Sequence, residues 1–138
     1  VNLSSGLVIQ GTATGAPLGV FAGVEYQATD GSVVFSNMWT ADTATLGSAN
    51  AKAYVYADPD IVYEAQATAT PTQATIGTTN TISTTAGSTS TGRSAEGVTA
   101  TTSSGIATVV GFVDRPDNSI GQYARMYVIF PTSAFGNN

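Results

Sequence analysis

The stretch LGVFAGVEYQATDGSVVFSNMW, Leu18 to Trp39, decides the fold class. Val20, Ala22 and Val24 alternate with Phe21, Gly23 and Glu25, the two-residue repeat of a strand with two unlike faces. TDGS then offers an Asp-Gly turn at Asp30-Gly31, and SVVFSNMW returns as a second strand, so Leu18 to Trp39 is predicted to be a β-hairpin. Helical spacing of apolar residues is nearly absent elsewhere. The chain therefore reads as all-β, a single-domain antiparallel β-barrel or β-sandwich.

The same repeat extends outward from the hairpin. AKAYVYA sets small or aliphatic residues against Lys52, Tyr54 and Tyr56, and IVYEAQATA alternates again around Tyr63. Between them lies ADPD, where Pro59 has no N–H for a ladder and biases Asp58 toward extended geometry, while both aspartates can accept backbone hydrogen bonds. Near the far end, IATVVGFVD and YARMYVIF flank the loop RPDNSIGQ. Met126, Val128 and Phe130 are expected on one face, with Tyr127 and Ile129 on the other. From Thr68 to Ser104 runs a long Thr/Ser/Gly-rich loop region whose large aliphatics are Ile76, Ile82 and Val98. Its composition suits disorder or irregular order, and the even spacing of Ile76 and Ile82 in TIGTTNTIST favours order. No repeat or linker divides the chain, so residues 1–138 read as one domain.

Composition removes several chemistries. The 138 residues are enough to bury a core. With no cysteine there is no disulfide framework or zinc-thiolate site, and with no histidine the usual general base and serine-histidine nucleophile are missing. The net charge is −5, and the four cations Lys52, Arg93, Arg115 and Arg125 are scattered singly. No basic stripe follows a phosphate backbone, so nucleic acid is not an expected partner. No run approaches the ~20 apolar residues of a membrane span, and no membrane partner is expected. Charged residues make up 9% of the chain, about a third of the usual share, so hydroxyls and small apolar groups must cover much of the surface. Such a surface suits a protein packed against copies of itself or a partner. The chain starts at Val1 without methionine, which suggests a removed leader or residues upstream.

Asp58, Asp60 and Glu64 invite a calcium reading, but calcium takes about six to eight oxygens and the spacing is not that of an EF-hand. Turn-and-edge carboxylates explain them more simply, and no metal or other cofactor is expected. A glycosidase needs two acids across a sugar-sized cleft, and no second lobe is evident to form one. In DRPDNSIG, Arg115 stands near Asp114 and Asp117, and a planar bidentate pair with the Asp58/Asp60 corner, in the same chain or a neighbouring copy, is the sharper expectation beside a solvated loop. The aromatics on alternating strand positions read as core or subunit-interface residues more than as a carbohydrate platform, with Trp39 and Tyr56 foremost. Threonine runs such as ATATPT lack the fixed period of an ice-binding face.

Four segments, APLGVFAGVEYQATDGSVVFSNMWTA, AYVYADPDIVYEAQA, AGSTSTGRSA and VVGFVDRPDNSIGQYARMYVIF, resemble a family of small capsid-associated proteins of tailed bacteriophages over about Pro17 to Phe130. The resemblance rests on the order and wording of segments and carries no catalytic signature. It implies a head decoration or cement protein: a small β-barrel or β-sandwich that binds the major capsid protein on the outer capsid surface of the virion, as a homo-oligomer with a trimer favoured. It also implies further residues leading into GLVIQ. The rival expectation is a receptor- or glycan-binding module of a phage fibre or knob, followed by a bacterial surface adhesin domain; an enzyme comes last.

Overall fold

The structure is a computed structural model that describes residues 1–13, 15–40, 43–47, 51–100 and 105–131. Among the described residues the regular elements are strands apart from one 3-10 turn at Gln73–Thr75. In chain order they are β1 (Asn2–Ser4), β2 (Leu7–Ile9), β3 (Val20–Gln27), β4 (Val33–Ser36), β5 (Lys52–Tyr56), β6 (Tyr63–Gln66), β7 (Thr79–Asn80), β8 (Ile82–Ser83), β9 (Gly97–Val98), β10 (Ala107–Phe112) and β11 (Arg125–Ile129). The protein is all-β. The strands pair antiparallel in four open sheets, ordered β6-β11-β10-β7, β4-β3-β5, β1-β2 and β8-β9. Among the described residues no sheet closes into a barrel.

The hairpin forms where the sequence places it, and its chemistry is local. The β3–β4 loop is Thr29 to Gly31: the Gly31 N–H donates to the Ala28 carbonyl at 2.9 Å, and the Ala28 N–H donates to Ser32 O at 2.8 Å. Gly31 sits at φ +87°, a left-handed position that a side chain would strain. Asp30 Oδ1 accepts from the Ser32 N–H at 2.9 Å and from its hydroxyl at 2.6 Å. These bonds favour the ionised form and hold the Asp30 carboxyl below its ordinary pKa, the hydroxyl contributing most. The returning strand stops at Ser36, short of Trp39. There the Ser36 hydroxyl accepts the Met38 N–H and donates to the Met38 carbonyl, turning the chain out of the ladder.

The core lies on one face of the four-stranded sheet. Met126 and Val128 of β11 are fully buried, as are Ala107 and Val109 of β10. Phe130 follows in the same phase and stacks at a tilt on Tyr63, ring centroids 5.3 Å apart. Tyr127 faces outward, as the alternation predicts. The other wall of this core comes from the threonine-rich segment, which is ordered over its described residues. Val98 and Ala100 are buried there, Ile82 packs against the same cluster, and Ala67, the residue after β6, is buried beside them. Ala67 bridges Val98 in parallel, and Thr99 donates to the Thr81 carbonyl at 3.0 Å. Residues 101–104 at the end of that segment lie outside the described residues.

Two bulges shift the strand patterns. In β3 the pairing to β5 runs Val20 to Tyr56, Phe21 to Val55 and then Gly23 to Tyr54, leaving Ala22 as an extra residue. In β10 the pairing passes from Val109 to Gly111, leaving Val110 exposed. Each extra residue reverses the inside-outside phase of what precedes it. The expected common face of Val20, Ala22 and Val24 is accordingly corrected: Val20 and Ala22 are exposed and Val24 is buried.

Candidate interaction face

Register assigns the faces of the β4-β3-β5 sheet, because directly paired residues share a side. Glu25 pairs with Phe35 of β4 and with Lys52 of β5, Gly23 pairs with Tyr54, Val20 with Tyr56, and Gln27 with Val33. One face therefore carries Val20, Val33, Phe35, Tyr54 and Tyr56 together with the Glu25–Lys52 pair. All five of these apolar or aromatic residues are exposed, Phe35 to 71% and Tyr56 to 58%. The opposite face carries the buried Val24 and the partly covered Phe21, Tyr26 and Val55. The exposed side chains share one face of the sheet, and uncovered apolar surface of this kind marks contact surfaces.

At the middle of the face the side chains part. Gly23 has none, and Phe35 and Tyr54 stand on the strands either side, so an open depression of about 340 Å³ lies over the glycine with Ala22, Val24, Ser36 and Asn37 completing its lining. A Cβ at Gly23 would lie 3.0 Å from the Ser36 carbonyl oxygen. Tyr54 is held in place by its hydroxyl, which donates to Glu25 Oε2 at 2.7 Å.

That bond pushes the Tyr54 hydroxyl above its ordinary pKa: donation to the Glu25 carboxylate contributes most, then desolvation and the carboxylate's negative charge. A raised pKa in the folded state means that the bond's contribution to stability is fully present below the unfolded value of about 10 and is lost as pH rises through the folded one. Tyr54→Phe is expected to remove one of the latest-ionising tyrosines from an absorbance titration, while Glu25→Gln should return Tyr54 to the ordinary tyrosine range. Tyr63, which burial raises, remains as the internal late component in both variants.

The sequence-derived residues separate in space. Tyr56 is on the exposed face, whereas Trp39 leaves β4 and meets Tyr26 edge-on, with ring centroids 5.5 Å apart and planes at 90°. Asp58 and Asp60 occupy the β5–β6 connection, where Asp58 Oδ1 accepts the Asp60 N–H at 2.9 Å and the Asp58 carbonyl accepts the Ile61 N–H at 3.3 Å. Within the chain, the expected pairing of Arg115 with that corner is corrected. Arg115 reaches Glu64 instead, Nη2 to Oε2 at 2.9 Å and Nη1 to Oε1 at 3.4 Å, and Arg125 approaches the same carboxylate at 3.6 Å. Glu64 pairs with Tyr127 across the β6–β11 ladder on the outer face of the four-stranded sheet, and two cations converge on it from the β10–β11 loop and from β11. Asp117 stays in that exposed loop, inside the turn closed by the Asn118 N–H on the Arg115 carbonyl. The arginine–glutamate group is about half exposed, and pairs of that kind contribute little to stability. Among the described residues no three acidic side chains converge as metal ligands.

Sequence reading missed the face as a unit. Its signal was the sharing of one strand phase by Lys52, Tyr54 and Tyr56, but the Ala22 bulge hid which residues of β3 join them. Searches against protein-family models, curated proteins and solved structures find no match to this chain.

Proposed function

We propose that this chain is a virion structural protein, a decoration or cement protein bound through the major capsid protein to the outer surface of a bacteriophage head, where it acts as a homo-oligomer and without a catalytic step. The observation that carries the reading is the uncovered Val20/Val33/Phe35/Tyr54/Tyr56 face, in a chain with 9% charged residues. A shell strained by packaged DNA gives way at the seams between capsomers. A clamp holds a seam by burying area on two or more subunits at once, and many modest contacts add through multivalency. A face of exposed uncharged side chains around the single Glu25–Lys52 pair suits that task.

The depression between Phe35 and Tyr54 favours a second reading, a glycan-binding module of a fibre, knob or surface adhesin, since a sugar ring stacks on an aromatic wall while Ser36 and Asn37 offer hydrogen bonds. Copy number and loss of function separate the two. On the decoration reading, particles hold the chain in hundreds of copies, particles lacking it release DNA at a lower temperature, and added purified chain restores the wild-type temperature while Phe35→Asp chain does not. A few dozen copies, with loss of adsorption and unchanged particle stability, would overturn it in favour of the glycan reading.

A further inference from the structure

We propose that two copies of this chain pair antiparallel through the open edge of β5, joining two three-stranded sheets into one of six strands. The inference stands on the strand edge and is independent of the capsid reading. β5 is terminal in the order β4-β3-β5, and among the described residues no strand pairs with its far side. The Tyr56 carbonyl is directed at Gly19 on the β3 side, since a Cβ there would overlap it. Alternation then directs the N–H and C=O groups of Ala53 and Val55 to the open edge. Natural edges are usually blunted by proline, a bulge on the edge strand or a run of charge. KAYVY has none of these beyond the single Lys52 at its start; the bulge of this sheet lies on β3.

The side chains select a second copy as the occupant. Pairing that uses the outward groups of Ala53 and Val55 and overlaps the whole strand sets Ala53 against the partner's Val55, Tyr54 against the partner's Tyr54, and Lys52 against the partner's Tyr56. Tyr54 and Lys52 then fall at the non-hydrogen-bonded positions, where side chains approach most closely. No like charges meet: the two ammonium groups stand at opposite ends of the ladder, each beside a tyrosine ring that can receive it. The exposed faces of both copies also merge on one side of the new sheet, since Lys52, Tyr54 and Tyr56 share that side in each.

Sedimentation of the full chain across the micromolar range should show a monomer–dimer equilibrium. Tyr56→Lys sets a second ammonium against the partner's Lys52 twice per dimer and should weaken association about tenfold. Adding Lys52→Glu to it replaces both repulsive pairs with opposite charges and should restore the dimer. Independently, Tyr54→Cys introduces a sole thiol on the two-fold axis and should form a disulfide dimer readily with oxidised glutathione, whereas Lys52→Cys, which faces tyrosine, should not. A wild type that stays monomeric overturns the proposal, and so does a trimer, because an isologous edge closes at two copies. Dimers indifferent to the charge swap, or equal cross-linking of the two cysteine variants, overturn it as well.

Discussion

Met126→Ala is expected to destabilise the fold by about 3 kcal/mol, within the range for truncating a buried methionine. The side chain is fully buried on β11, between the two strands that flank it, and its paired neighbours are Ala65 on β6 and Phe112 on β10. One of these is an alanine, so the surroundings hold little slack with which to fill the space. A chain of this size is stabilised by roughly 5–15 kcal/mol in total. The loss should therefore appear as a fall in Tm on the order of 10 °C and as a lower denaturant midpoint with an unchanged slope. Val110→Ala, on the adjacent strand but exposed at the bulge, serves as the contrast, with a change expected inside ~0.5 kcal/mol. A loss at Met126 no larger than at Val110 would mean that the threonine-rich segment does not close over the sheet as described.

That segment also shows where sequence patterns inform and where they stop. The β11 side chains were legible because the strand is regular: Met126, Val128 and Phe130 keep one phase without interruption, and all three are buried. The Asp30-Gly31 turn was legible because a left-handed glycine beside an aspartate that binds Ser32 is a local signal. Long-range partners carry no such signal. Arg115 lies one position from Asp114 and two from Asp117, yet 51 positions separate it from the Glu64 carboxylate that it forks, a pairing created by the β6–β11–β10 order. The bulge at Ala22 was equally hidden, since alternation continues in the letters while the ladder slips by one. The place of Val20 on the interaction face depends on that slip, which sets it beside Tyr56 on the side where Gly23 meets Tyr54. The covering role of Ala67, Val98 and Ala100 was hidden for another reason. Alanines and a lone valine among threonines look the same in sequence whether they lie under a loop or on its surface.

Gly19→Ala is expected to cost about 3 kcal/mol or more and to remove the β5 edge along with it. Gly19 is buried at φ +154°, a backbone conformation that a side chain strains. A methyl group there would overlap the Tyr56 carbonyl and crowd the Ala57 Cα, at a backbone contact that no rotamer change can relieve. That carbonyl also accepts the Tyr63 hydroxyl at 2.9 Å, a bond that ties the end of β5 to β6 of the four-stranded sheet. Displacing Tyr56 thus loosens the Val20–Tyr56 end of the β3–β5 ladder and frees a tyrosine whose ring packs on Phe130. Two effects should therefore travel together in the variant: a lower denaturation midpoint, and early exchange of the Lys52, Tyr54 and Tyr56 amides, which point toward β3, at denaturant concentrations where Met126 and Val128 are still protected. Gly31→Ala strains only a surface turn with open space around it, and it should lower the midpoint by a smaller amount without selective exposure of β5. If Gly19→Ala left β5 exchange unchanged, the close approach of Gly19 to Tyr56 would not be what holds this strand in register, and the directions assigned to the Ala53 and Val55 amides would fall with it.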